Sequence, residues 1–136
     1  MTADQDGLAD SGPPTGEVAI MTVAMPADAN PAGDIFGGWL LAQMDIAGGV
    51  AASARAKGRT ATIAVQEMEF HKPVKVGDRI SCYTEIIRVG RTSISVGIEA
   101  WSTNHYRQTG PTKVTEGVFT YVAIDKDGKP RPVPEA

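Results

Sequence analysis

The sequence predicts an α+β fold in which a curled antiparallel sheet wraps one long central helix. Three observations carry this: residues 38–56 are apolar on nearly every face of a helix, one strand precedes them, and four strand-like segments follow with no second helical pattern. A rod apolar all round needs cover on all sides, and only a sheet bent around it supplies that within one small domain.

Residues 1–16 are rich in Asp, Gly and Pro with one large apolar residue, Leu8, and read as a disordered or loosely draped leader. From Glu17, alternating small and branched residues form a strand that Pro26 ends, and Pro31 and Gly33 break the loop that follows. The helix then runs to Ala56, where Gly58 is placed to stop it and Lys57 lies near the negative end of its dipole. Gly48 and Gly49 inside it cost about 1 kcal/mol each relative to alanine, so they mark a close approach by a strand or a second subunit. Thr60 to Phe70 is a strand bounded by Pro73 and by the turn Val76-Gly77-Asp78. Arg79 to Val89 alternates Ile80, Cys82, Thr84 and Ile86 on one face, and the turn at Gly90-Arg91 closes it. Residues 92–102 show the clearest period of two, with Ile94, Val96, Ile98 and Ala100 on one side. Residues 112–124 form the last strand, read with Val114, Val118, Val122 and Ile124 on its apolar face. The single domain spans 17–125, and residues 126–136, with Pro130, Pro132 and Pro134, form an extended tail.

The 136 residues give room for one core, and 42% hydrophobic with 21% charged residues is the balance of a globular chain. No apolar run reaches the roughly 18 residues of a membrane span. The acidic N-terminus is unlike a secretory signal, so a cytoplasmic location is expected. Cys82 is alone, which excludes an internal disulfide and a cysteine-rich metal site. A net charge of −3 argues against nucleic-acid binding. It leaves room for a local anion pocket built from Lys57, Arg59, Lys72, Lys75, Arg88, Arg91 or Arg107.

Asp45 breaks the apolar pattern of the helix, being the only ionisable residue between Asp34 and Arg55. A carboxylate among apolar neighbours costs stability unless it is hydrogen-bonded, which makes it a site candidate. On these residues alone, a structural acid satisfied by backbone amides, or paired across a dimer, stands level with a catalytic one.

The stretch NPAGDIFGGWLLAQMDIAGG, followed by VQEMEFHKPVKVGD and VGRTSISVGIEAW, resembles the hotdog-fold acyl-CoA thioesterases, in particular the small bacterial YciA-type acyl-CoA hydrolases, over roughly residues 20–121. The resemblance implies a five- or six-stranded sheet around the helix. It implies dimers with continuous sheets, assembled as trimers of dimers into a homohexamer, and an active site at the subunit boundary. The implied activity is hydrolysis of acyl-CoA to free acid and coenzyme A in fatty acid metabolism, without metal or organic cofactor.

A thioester needs little help at its leaving group, since a thiol of pKa near 8.5 departs readily as thiolate. What remains is to polarise the carbonyl and to activate a nucleophile. Gly37 and Gly38 at the helix start offer backbone N–H groups at the positive end of the dipole, and by resemblance that is where the thioester oxygen docks. Asp45 then serves as general base on a water, or as nucleophile through an anhydride. By the same resemblance Asn30 positions the water or carbonyl opposite Asp45 of the partner subunit. Two glycines alone are also what a tight helix entry uses, and Asp34 is read as a turn residue. Gly90, Arg91, Thr92 and Ser93 form a candidate cradle for the phosphates or pantetheine of coenzyme A, with Arg59 and Lys72 as weaker candidates. Phe36 and Trp39 are candidates for the acyl tunnel, against the plainer reading as core. His71 and His105, the two histidines, are assigned no catalytic role. That counts against the alternative of a hotdog dehydratase or hydratase, which needs a histidine with its acid. A second alternative, a non-catalytic acyl-CoA sensor, would keep the groove without needing the acid.

Overall fold

The structure is a computed structural model that describes residues 12–104, 106 and 109–136. Most of the leader expected over residues 1–16, together with His105 and Arg107, lies outside these residues. The elements are β1 (Glu17–Val23), a short 3-10 turn at Pro26–Asp28, α1 (Gly37–Ala56), β2 (Thr60–Phe70), β3 (Arg79–Val89), β4 (Ser93–Asn104) and β5 (Thr109–Ala123). The five strands form one sheet in the order β1-β3-β4-β5-β2, antiparallel at every pairing. The helix packs against one face of this sheet, which is the hotdog arrangement, and the sheet is not closed.

β2 and β3 follow each other in sequence but are not neighbours in the sheet. The connection between them, residues 71–78, instead runs beside the loop that leads into α1. There the Ile35 N–H donates to the Val74 carbonyl at 2.9 Å, and Lys75 pairs with the Asp34 carboxylate. The turn Val76-Gly77-Asp78 is built on the buried Asp78, which accepts from the Lys75 N–H (3.0 Å), the Ser102 hydroxyl (2.9 Å) and the Asn104 amide (2.7 Å). These donors satisfy both oxygens of the buried carboxylate, which ties the β3 start to the β4 end. Together these contacts hold the approach to the helix N-terminus.

The core joins Leu40, Met44, Ala47, Gly48, Ala52 and Ala56 of α1 to the inward residues of the sheet. On β3 and β4 these are Ile80, Cys82, Ile94, Val96, Ile98 and Ala100, as the period of two predicts. Beyond Ala100 a register shift follows, and Trp101 and Ser102 are both buried. On β5 the reading needs correction. Val114 faces inward, but further along the strand the buried side chains are Phe119, Tyr121 and Ala123, while Val118, Val122 and Ile124 are only partly covered. Both faces of this segment carry large apolar groups, so alternation alone could not choose between them.

The sheet covers one side of the helix only. Ile46 and Val50, one turn apart on α1, are each 53% exposed, and Ile63 and Val65 on the edge strand β2 are 58% and 41% exposed. The rod apolar all round therefore keeps a bare face in the single chain, next to an unpaired strand edge.

Gly48 is required by close packing: a Cβ there would overlap the Tyr121 hydroxyl and the Ile98 side chain. Gly49 meets only an ordinary contact, the Tyr121 ring at 3.9 Å. At the helix C-terminus the left-handed residue is Lys57 (φ 56°), and Gly58 follows it. The Gly58 N–H reaches back to the Ser53 carbonyl (3.2 Å) and the Lys57 N–H to that of Ala54 (3.4 Å), a Schellman-type close. The tail is laid along the domain: Ile124 bridges Pro130, and the Arg131 N–H donates to the Ala123 carbonyl at 2.9 Å.

Candidate active site

Asp45 sits on α1 where the buried stripe gives way to the bare face, and it is half-buried. Its Oδ1 accepts from the Thr62 hydroxyl at 2.7 Å and lies 3.1 Å from the Tyr121 hydroxyl. The same tyrosine oxygen is 3.0 Å from the Asp45 main-chain carbonyl, so one phenol proton is shared between two acceptors. Thr62 and Tyr121 are cross-strand partners on β2 and β5, which is why both hydroxyls arrive at one oxygen. Burial pushes the Tyr121 pKa well up, and the neighbouring Asp45 charge pushes it further, so the phenol stays protonated and serves as a donor. Both partners are neutral. Among the described residues no basic side chain pairs with Asp45, and no hydrogen-bond donor reaches its Oδ2. The carboxylate is thus oriented through one oxygen while the other stays available.

At the leading end of α1, Phe36 is the N-cap in an extended conformation (φ −58°, ψ 136°), with no side-chain cap. The N–H groups of Phe36 and Trp39 are taken by the carbonyls of Asp28 and Phe36 (both 3.1 Å), which leaves those of Gly37 and Gly38 without an intrahelical partner at the end where the dipole attracts negative charge. Beside Gly37 lies a groove of about 350 Å³ lined by Ile35, Phe36, Leu40, Phe70 and Lys72. A Cβ at Gly38 would point into open space. Asn30 organises the loop before the groove: its Oδ1 accepts from the Ala32 and Asp34 N–H groups, both at 3.0 Å. Eight residues separate Gly37 from Asp45, about 12 Å along the axis at 1.5 Å per residue. One carbonyl cannot touch both ends of that span.

Residues 32–107 match the Thioesterase superfamily. The chain belongs to that superfamily. Within it, the chain is 50% identical to the acyl-CoA thioester hydrolase YciA of Salmonella typhimurium over 123 residues, covering 89% of this chain and 92% of that one. Among solved structures it is similar to the hexameric thioesterase y2039 from Yersinia pestis, at 48% identity and a TM-score of 0.86, over 91% of this chain and all of that one. It is also similar to HI0827, a hexameric broad-specificity acyl-coenzyme A thioesterase solved as an aspartate-to-alanine mutant. There the TM-score is 0.87 at 41% identity, covering 89% of this chain and 88% of that one.

In this thioesterase-superfamily chain the remaining candidates fall apart in space. Phe36, half-exposed, and Lys72 border the groove at the helix N-terminus. Trp39 is half-buried and packs against the core. Arg59 donates to the carbonyls of Asp125 (3.3 Å) and Lys126 (3.4 Å) at the opposite end of the helix. The turn Gly90-Arg91-Thr92-Ser93 is at that end too, closed by the Gly90 N–H on the Ser93 carbonyl (2.7 Å) and joined to β5 by the Ala123 N–H on the Thr92 carbonyl (2.8 Å). Thr62 and Tyr121 were not singled out from the sequence. Tyr121 was hidden by the wrong choice of face on β5, and Thr62 is one of several threonines whose partner depends on where β2 pairs.

His71 also lines the groove beside Gly37, and its Nε2 lies 2.8 Å from Glu116. Glu69, His71 and Glu116 bring donor atoms within 4.8 Å of one another, the one such group among the described residues with spacing a metal would accept. Lys113 already binds Glu116 there at 3.3 Å. Burial by itself would raise the Glu116 pKa, but the His71 hydrogen bond and the Lys113 charge together bring it below its ordinary value.

Proposed function

We propose that this chain hydrolyses acyl-CoA thioesters to free carboxylic acids and coenzyme A, with Asp45 activating the nucleophile and the amides of Gly37 and Gly38 polarising the carbonyl. The observation that carries the reading is the Asp45 carboxylate, held through Oδ1 by two neutral hydroxyls and left with Oδ2 available on the uncovered side of α1. Asp78, buried and structural, has donors on both of its oxygens, whereas Asp45 keeps one oxygen without a donor among the described residues.

Water gives its proton to Asp45 as its oxygen bonds to the thioester carbon; the resulting oxyanion is met by the helix N-terminal amides. The C–S bond then breaks, and the thiolate leaves and takes up a proton. In the nucleophilic variant Asp45 itself bonds to the carbonyl carbon and expels the thiolate, and water opens the anhydride. Neither route calls on a metal or organic cofactor. The roughly 12 Å between the amides and Asp45 of one chain requires the two to come from different chains around each substrate. A homo-oligomer that joins the bare faces at Ile46, Val50 and the β2 edge meets that requirement, and the solved relatives named above are hexameric. In such an assembly Asn30 shapes the loop that presents Gly37, and Asn30 faces the water or carbonyl beside Asp45 of the partner subunit. Phe36 and Trp39 border the acyl group, and Gly90, Arg91, Thr92 and Ser93, with Arg59 and Lys72, receive coenzyme A.

No helix among the described residues is long and apolar enough to cross a membrane. A cytoplasmic setting is the one proposed, and the net charge of −3 supports a small-molecule rather than a nucleic-acid partner.

The test is release of free thiol from acyl-CoAs. Asp45→Asn keeps the shape and both hydroxyl contacts, and is expected to lower turnover about 10²- to 10⁴-fold while still binding coenzyme A. Turnover at the wild-type rate in Asp45→Asn would sink the assignment, and failure of the wild-type protein to release thiol while binding acyl-CoA would favour a sensor.

A further inference from the structure

The C-terminal tail makes more contacts than a disposable extension needs. The Arg131 guanidinium donates through Nη2 to the Ala56 carbonyl at the end of α1 (2.9 Å) and through Nε to the Ile124 carbonyl (3.1 Å). Its seat is cut by Gly58, where a Cβ would stand 2.5 Å from Nη2. Arg55 reaches forward to the Pro134 carbonyl at 2.6 Å, and Val133 packs against the core. From this anchored segment the Val133 N–H donates to the Arg91 carbonyl at 2.8 Å.

That last bond acts on the turn between β3 and β4. A trans peptide directs its C=O and N–H in opposite senses, so fixing the Arg91 carbonyl toward the tail fixes the Thr92 N–H away from it. Backbone donors aimed outward beside an arginine are what a phosphate recognises. We infer that the tail, residues 130–134 with Arg131 as its anchor, is a positioning element that presets the 90–93 turn for the nucleotide part of coenzyme A. The inference rests on the proposed reading of that turn as a coenzyme A contact. Arg131 touches no reacting atom; it acts through Val133 and the turn, and its effect belongs in substrate affinity, not in the chemical step.

The experiment compares two thioesters of the same acid, one of coenzyme A and one of N-acetylcysteamine, which lacks the nucleotide. In the full-length protein, Arg131→Ala is expected to raise KM for acyl-CoA about three- to tenfold with kcat within about twofold, and to leave kcat/KM for the short thioester unchanged. Gly58→Ala, which fills the guanidinium seat without removing the arginine, moves KM the same way, and it carries the test alone if Arg131→Ala does not fold. Arg131→Lys, able to keep one of the bonds, falls between. An acyl-CoA KM that stays put in both variants while rising in Arg91→Ala overturns the tail's role and spares the turn. A KM unmoved even by Arg91→Ala removes the turn from the coenzyme A site, and the inference with it. Equal losses on both thioesters would make the tail a plain structural brace and overturn the inference.

Discussion

The two ends of the central helix are finished in opposite ways. At the C-terminus the chain satisfies its own carbonyls: Gly58 and Lys57 close on Ser53 and Ala54, and Arg131 takes Ala56. At the N-terminus no side chain caps the first turn, two glycines clear the approach, and a groove of about 350 Å³ opens beside them. Helix ends carry comparable needs, four orphan groups each, so the asymmetry is not imposed by the secondary structure. An end closed by its own chain is a structural joint, whereas the end that leaves the Gly37 and Gly38 donors open is the one to which the proposed function assigns the substrate carbonyl.

That contrast can be broken at either end. The largest effect is expected from Gly37→Pro. Proline is well tolerated at the first helical position, and Phe36 already has the extended backbone that precedes proline readily. The substitution removes one N–H and little else, so kcat/KM should fall roughly 10²-fold or more with the melting temperature nearly unchanged. A variant of full activity would show that this amide does not meet the oxyanion. Next comes Gly48→Ala in the middle of the helix, where the added methyl overlaps Tyr121 and Ile98. A cost of about 1–3 kcal/mol in chemical denaturation is expected, with loss of activity as the tyrosine leaves Asp45. Gly49→Ala, facing an ordinary contact, is the control.

At the closed end, Lys57→Gly relieves a left-handed residue and should add about 0.5–1 kcal/mol of stability without touching turnover. A drop in stability would mean that the lysine side chain matters more than its backbone. The smallest effect concerns Cys82, whose thiol burial pushes up to about 12. At pH 8 it should remain protonated and unreactive, so a thiol reagent ought to report released coenzyme A with no background from the native protein. Labelling of the folded chain within the assay time would contradict that burial.

Much of this was readable beforehand. The limits of β2 and β3, the helix, and the inward sides of β3 and β4 follow from residue patterns acting over a few positions. The same holds for Asp45, which stood out because nothing else ionisable shares its stretch of helix. What was not readable depended on contacts far apart in sequence. Tyr121 lies 76 residues from Asp45, and Thr62 reaches it only because β2 pairs with β5 at the far edge of the sheet rather than with the strand that follows it. The helix ends at Ala56 and Gly58 closes it, as read, but a distant contact was hidden there too: the missing side chain of Gly58 makes room for an arginine from the tail.

Sequence alone determined the kind of fold, the rod and its single acid, because periodicity and turn chemistry are local and each residue carries its own preference. Tertiary structure decided which hydroxyls grip Asp45 and which of its oxygens is left available. It also decided that Ile46, Val50 and the β2 edge stay uncovered in the single chain. Those outcomes depend on strand order and register, and neither of these is a property of any short stretch of chain.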